Sequence, residues 1–210
     1  MNLAGLLISF LISFGLLLIA MTVHEFSHGL TAYKLGDPTA KYSGRLTLNP
    51  FAHIDPMWTF FLPLFLFIST HGQFVFGAAK PVPINYHSLK NPKRDIIWIG
   101  LSGPAANFLL ASVLSLFLKF FPTPPGLLSL ILGNLIIINV VLGVFNLLPI
   151  PPLDGSRILS GLLPPDLAYS YARIEPYGFI ILMLLLWFGV FGYIVWPAVN
   201  LILRILGVTI

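Results

Sequence analysis

The sequence predicts an all-α polytopic membrane protein with about four to six transmembrane helices. Three observations carry that prediction. Only 9% of the 210 residues are charged and the mean hydropathy is +0.93, too few charges to solvate the surface of a soluble domain of this size. Several uncharged apolar runs are long enough to cross a hydrocarbon core. The 18 prolines and 14% aromatic residues suit helices interrupted by broken or irregular pieces.

The elements follow in order. Residues 3–23 are apolar throughout, and nothing breaks the helix before Gly36-Asp37-Pro38, so the first helix runs on through His28 to about Leu35. No basic leader and no small-residue cleavage site precede it, so it reads as a retained helix. Residues 39–56 mix Thr, Tyr and turn formers, which suits short strands and turns. Residues 58–70 are apolar but short and carry Pro63, the pattern of a re-entrant or interfacial segment. They dip in and return, or pair with the weakly apolar 74–79 stretch as a hairpin. Residues 71–95 look extended around Pro81 and Pro83.

Residues 96–120 and 127–149 read as two transmembrane helices, and 155–163 as a short helix before Pro164-Pro165. A last span covers 177–196, with Pro197 separating it from a terminal helix. No repeat or appended soluble domain is visible. The expectation is one membrane-embedded domain over 1–210, with a core at about 1–163 and C-terminal helices at about 164–210.

The net charge is +4, but the 11 basic residues are scattered in loops rather than gathered in a stripe, which argues for membrane topology and against nucleic acid. With no cysteine in the chain, disulfides, thiolate metal sites and cysteine nucleophiles are excluded.

The chemistry starts at "HEFSH", residues 24–28. His24 and His28 are four residues apart and project from one helix face, so their imidazoles can take two positions of a tetrahedral zinc. Glu25 lies about 100° round the helix, close enough to act on a metal-activated water without being a ligand. Titratable groups at the end of a lipid-length run are costly and need a reason. A third ligand must come from elsewhere. Asp154, in "NLLPIPPLDG", competes with His53 and Asp55 in the first loop. Asp154 follows a helix unwound by Pro149, Pro151 and Pro152, and unwound backbone at membrane depth is tolerated where it lines a polar site. By itself it reads equally well as the cap of the next helix. Asp95 reads as a solvated interfacial charge, and Asn107 as a core hydrogen-bonding residue rather than a ligand. Residues 42–48 and 80–86 serve equally well as connecting loops or as strand edges that hold an unwound peptide.

"HEFSH" together with "NLLPIPPLDG" resembles the site-2 protease family of intramembrane zinc metalloproteases, whose second motif is N-x-x-P-x-P-x-x-D-G. Asn146, Pro149, Pro151, Asp154 and Gly155 fill its fixed positions, and "GPAAN" at 103–107 is similar to the family's middle core helix. The resemblance covers roughly residues 1–163. It implies one Zn2+ per chain held by His24, His28 and Asp154. It also implies Glu25 as general base, and Asn146 holding the substrate or the oxyanion. The substrate it implies is a membrane protein with a transmembrane segment. The PDZ and CBS domains of other members are absent from this sequence. The competing function is a membrane transporter or metal permease with His24, His28 and Asp154 as a transit site, but it lacks paired repeats and leaves Glu25 without a role. A proteolytically inactive relative is argued against by the intact Glu25.

Topology completes the expectation. His24 and Asp154 can meet only if their helices end on one side. That side holds Lys34, Lys41, Arg45, Lys80, Lys90, Lys93, Arg94, Arg157 and Arg173, nine of the 11 basic residues. The positive-inside rule then makes the chain a multi-pass protein of the cell membrane, with its active site toward the cytosol and its N-terminus outside.

Overall fold

The computed structural model describes residues 3–69, 77, 79–121 and 126–208. Among the described residues there is no strand, and helices of three kinds make up the fold. The first, α1 (Leu3–Lys34), contains 32 residues. At about 1.5 Å per residue it is some 48 Å long, well beyond a hydrocarbon core of about 30 Å. α4 (Pro92–Phe120) and α5 (Leu127–Asn146) are also long and apolar enough to cross a membrane. Pro92 occupies the first turn of α4, where a missing N–H costs nothing. Asp95 is buried, and its carboxylate accepts the Asn91 N–H at 2.8 Å. That corrects the expectation of a solvated charge: the helix start consumes it.

Between α1 and α4 the chain forms the short α2 (Thr39–Tyr42), a 3-10 turn at Pro50–His53, a π-helical turn at Pro56–Phe61 and α3 (Leu62–Ser69). Asp55 starts the π-helical turn by accepting the Met57 and Trp58 N–H groups. The 14 residues from Pro56 to Ser69 are too short to span. Most of their expected hairpin partner, 74–79, falls on residues 74–76 and 78, outside the described residues.

The strand reading of 42–48 and 80–86 gives way to connecting loops, for a reason visible in the donors. Pro81 and Pro83 have no N–H. Lys80 N–H already bonds the His53 carbonyl, Val82 N–H the Glu25 carboxylate and Asn85 N–H the Asp37 carboxylate. Too few donors remain for a ladder.

α5 stops at Asn146, short of the predicted 149, because the prolines that follow cannot continue it. Residues 147–153 are irregular, and α6 (Asp154–Leu162) follows. Gly155 is required where they fold back: a Cβ there would lie 2.3 Å from the Leu147 carbonyl oxygen. α7 (Pro165–Ala172) and a 3-10 turn at Glu175–Tyr177 lead to α8 (Gly178–Trp187) and α9 (Val190–Leu206).

The single span predicted at 177–196 is therefore two helices, bent by 82°. The break falls at Gly189, whose φ of +70° is a left-handed conformation that ends α8. Pro197 does not end a helix; it lies inside α9, as membrane helices tolerate. α9 packs on the bundle through Val195, Val199 and Leu203, which share a core with Ala111 of α4 and Ile136 and Val140 of α5. Among the described residues three helices are long and apolar enough to span, or four with the bent pair taken as one. α4 packs against α1, α5 and α6, so it is the centre of the molecule.

Candidate active site

Two helices supply the titratable groups of the site, and α4 and α5 pack around them. α1 supplies His24, Glu25 and His28, and α6 brings Asp154 from the other half of the chain. Asp154 Oδ2 lies 2.9 Å from His24 Nε2 and 3.0 Å from His28 Nε2. The two Nε2 atoms are themselves 3.0 Å apart. All three residues are at least 95% buried. They form a group that could hold a metal ion.

The donor set fits zinc, and the outer contacts say so independently. His28 Nδ1 lies 2.7 Å from the Ile99 carbonyl oxygen, which can only accept, so Nδ1 carries the proton and the Nε2 lone pair is free. His24 Nδ1 meets the Asn107 side-chain oxygen at 2.6 Å, with the same consequence. Metal-bound histidines typically use the second nitrogen in this way. A tetrahedral zinc at about 2.0–2.2 Å from its ligands needs donors roughly 3.3 Å apart, so an opening of a few tenths of an ångström accommodates it. α4 makes room for both rings with Gly103: a Cβ there would lie 2.5 Å from His28 Nε2 and 2.6 Å from His24 Nε2.

The other carboxylate oxygen of Asp154 is not idle. Oδ1 accepts from Arg157 at 3.0 Å, one turn on along α6. Asp154 thus presents a single oxygen to the histidines. It does not cap α6, which removes the alternative reading of its position.

His24, Glu25, His28, Asn146, Asp154 and Arg157 all border one cavity of 380 Å³. Its other walls are largely apolar, with Met21, Leu62, Phe145 and Leu182 among them. Glu25 Oε2 accepts the Val82 N–H at 2.8 Å, so the extended 79–84 segment fixes the carboxylate at the cavity edge. Asn146 reaches the cavity too, with its Nδ2 donating to the Leu142 carbonyl one turn back at 3.0 Å.

The two competitors for third ligand lie elsewhere. His53 is buried, its Nε2 against the Thr47 carbonyl at 2.9 Å, and Asp55 serves the π-helical turn. Neither belongs to the group formed by His24, His28 and Asp154.

Sequence reasoning missed the Arg157 contact, the Val82 contact and the role of Gly103, all of which depend on tertiary placement. It also passed over Asn139, although an amide inside "LIIINVVLG" is a polar group in a lipid-length run and so asks for a partner.

Comparisons with known proteins identify the family. The model of Peptidase family M50 matches residues 123–188. YwhC of Bacillus subtilis (strain 168), named as a zinc metalloprotease, is 37% identical over 193 residues, 88% of this chain and 84% of the relative. Rip2 of Mycolicibacterium smegmatis, also named as a zinc metalloprotease, is 35% identical over 170 residues, 80% of this chain and 64% of its own length. The zinc metalloprotease MJ0392 of Methanocaldococcus jannaschii is 38% identical over 80 residues, 38% of this chain and 23% of the relative. No solved structure matches the chain at comparable stringency. With apolar helices of spanning length around a buried His-His-Asp group, and with relatives that extend over most of its length, the chain belongs to peptidase family M50, the site-2 protease family of zinc metalloproteases, and is an integral membrane protein.

Proposed function

We propose that the protein is an intramembrane zinc endopeptidase that cuts a peptide bond within or near a transmembrane segment of another membrane protein. The observation that carries the reading is the convergence of His24, His28 and Asp154, with Glu25 beside them, in a cavity with mostly apolar walls. His24 and His28 through Nε2 and Asp154 through Oδ2 would hold one zinc per chain. When bound, zinc supplies Lewis-acid chemistry that makes a water nucleophilic near neutral pH, with a pKa brought toward about 7.

The chain's own residues do the rest. The Val82 N–H occupies Glu25 Oε2, which leaves Oε1 to take a proton and deliver it to the leaving amine. Asn146, at the cavity wall, offers its amide to the substrate carbonyl or the oxyanion. Arg157 holds Asp154 to one ligating oxygen. The apolar walls exclude bulk water and suit an apolar substrate segment. A helical substrate hides its carbonyls in internal hydrogen bonds, so it must unwind before it reaches Glu25. The protein sits in the cell membrane with this site toward the cytosol, an orientation that the distribution of its basic residues supports.

Comparative membrane proteomics of wild type and Glu25→Gln tests the reading. A single-span protein, or the membrane remnant of one, should accumulate uncut in the variant. Identical membrane proteomes would overturn it.

A further inference from the structure

Asn107 and Asn139 are both completely buried, in the middles of two spanning helices. Neither is at the cavity surface, and each sits among apolar side chains where an unpaired amide would be costly. Their hydrogen bonds form one directional chain. Asn139 Nδ2 donates to the Leu135 carbonyl at 2.8 Å. Its Oδ1 accepts from Asn107 Nδ2 at 2.8 Å. Asn107 Nδ2 also donates to the Ala20 carbonyl at 3.1 Å. Asn107 Oδ1 then faces His24 Nδ1 at 2.6 Å.

The direction of this chain is dictated by its ends. The Leu135 and Ala20 carbonyls can only accept. Flipping Asn139 would set its oxygen against the Leu135 carbonyl. Flipping Asn107 would set its oxygen against both the Ala20 carbonyl and Asn139 Oδ1. Each amide therefore has one satisfiable orientation, and the last of them presents an acceptor to the imidazole.

We infer that Asn107 and Asn139 are a positioning relay for the metal site: two amides anchored on α4 and α5 hold His24 as the Nδ1–H tautomer, with the Nε2 lone pair and the ring plane aimed at the ion. The inference rests on His24 being a zinc ligand, as proposed above. It assigns the polar stretch of α4 a task beyond helix packing. It also ties the first ligand to α5, which supplies no ligand itself.

The test is zinc affinity of the full-length protein in detergent or nanodiscs, measured by chelator competition and so independent of any substrate. Loss of an outer partner of a metal-bound histidine typically weakens binding about 10–100-fold. Asn107→Leu should lie in that range. Asn107→Asp, which keeps an acceptor for the imidazole N–H but loses the donor to Ala20 and Asn139, should recover only part of the affinity lost in Asn107→Leu. Asn139→Leu, one step removed from the histidine, should weaken binding by less than Asn107→Leu and serves as the readout if Asn107→Leu does not fold. Ser115→Ala is the packing control, because Ser115 donates to the Leu206 carbonyl at 2.5 Å and joins α4 to α9 away from the site; it should keep wild-type affinity. His24→Ala separates the two readings. If it binds zinc like wild type, the ligand assignment fails and the relay with it. If it loses zinc while both Asn→Leu variants keep wild-type affinity, the relay alone is overturned.

Discussion

Gly103 shows how one residue constrains the chemistry. Its α-carbon faces both imidazoles, and the space a methyl group would take is filled by His24 and His28 Nε2. Gly103→Ala must therefore push the rings apart or push α4 away from α1. We expect about 1–3 kcal/mol of destabilisation from the overpacking, with weaker zinc binding, measured by thermal unfolding and chelator competition on one preparation. Unchanged values in both would contradict the close approach. The histidines and Glu25 were legible in the sequence because the spacing of H-E-x-x-H encodes a shared helix face. The convergence of Asp154 with the histidines needed the family motif as well, since nothing local distinguishes a candidate ligand from a helix cap. The contacts of Gly103, Arg157 and Val82 were not legible at all: each joins segments tens of residues apart, and their partners are set by packing.

At the scale of elements, the Asp37 carboxylate ties the start of the segment between α1 and α4 to its end. Asp37 is fully buried, and its Oδ1 accepts from the Thr39 N–H at 3.0 Å while Oδ2 accepts from the Asn85 N–H at 2.7 Å. Asp37→Ala would leave those donors unsatisfied, at about 1–3 kcal/mol each. Limited proteolysis should then cut within 79–91 earlier than in wild type; an unchanged pattern would show that the Asp37 contacts do not hold the loop. The long helices were readable from apolar length, although α4 begins at Pro92 rather than at 96, because a proline suits the first turn and Asp95 accepts the Asn91 N–H there. The loop was not, because its hydrogen bonds go to α1 and to side chains rather than to a neighbouring strand. The break at Gly189 was hidden for a different reason: a single glycine in an apolar run is compatible with continuous helix until packing selects the bent form. The segment from Pro56 to Ser69 belongs to this scale too. As a re-entrant element it should place a cysteine at Ser69 out of reach of reagents added from outside the cell. The chain has no cysteine of its own, so single-site labelling is clean, and reaction from outside only would indicate a full crossing.

For the whole molecule, the bundle puts its charges at two ends. The end of α1, the connection from it to α4, the start of α4 and the α6–α7 region carry nine of the 11 basic residues. Lys119 and Arg204 belong to the far end, where Ser115 of α4 bonds the last turn of α9. The terminal helix, which sequence alone left unplaced, is thus anchored beside the exit of α4. Reporter fusions at Lys90 should locate that loop in the cytosol, and an external location would reverse the orientation. The central claim is that this bundle holds a zinc whose chemistry depends on a carboxylate that does not bind it. The most direct measurement takes reconstituted wild type and Glu25→Gln, and compares zinc per chain with cleavage of a single-span substrate. The account predicts about one zinc in each, with cleavage by wild type only. Full proteolysis by Glu25→Gln would contradict it.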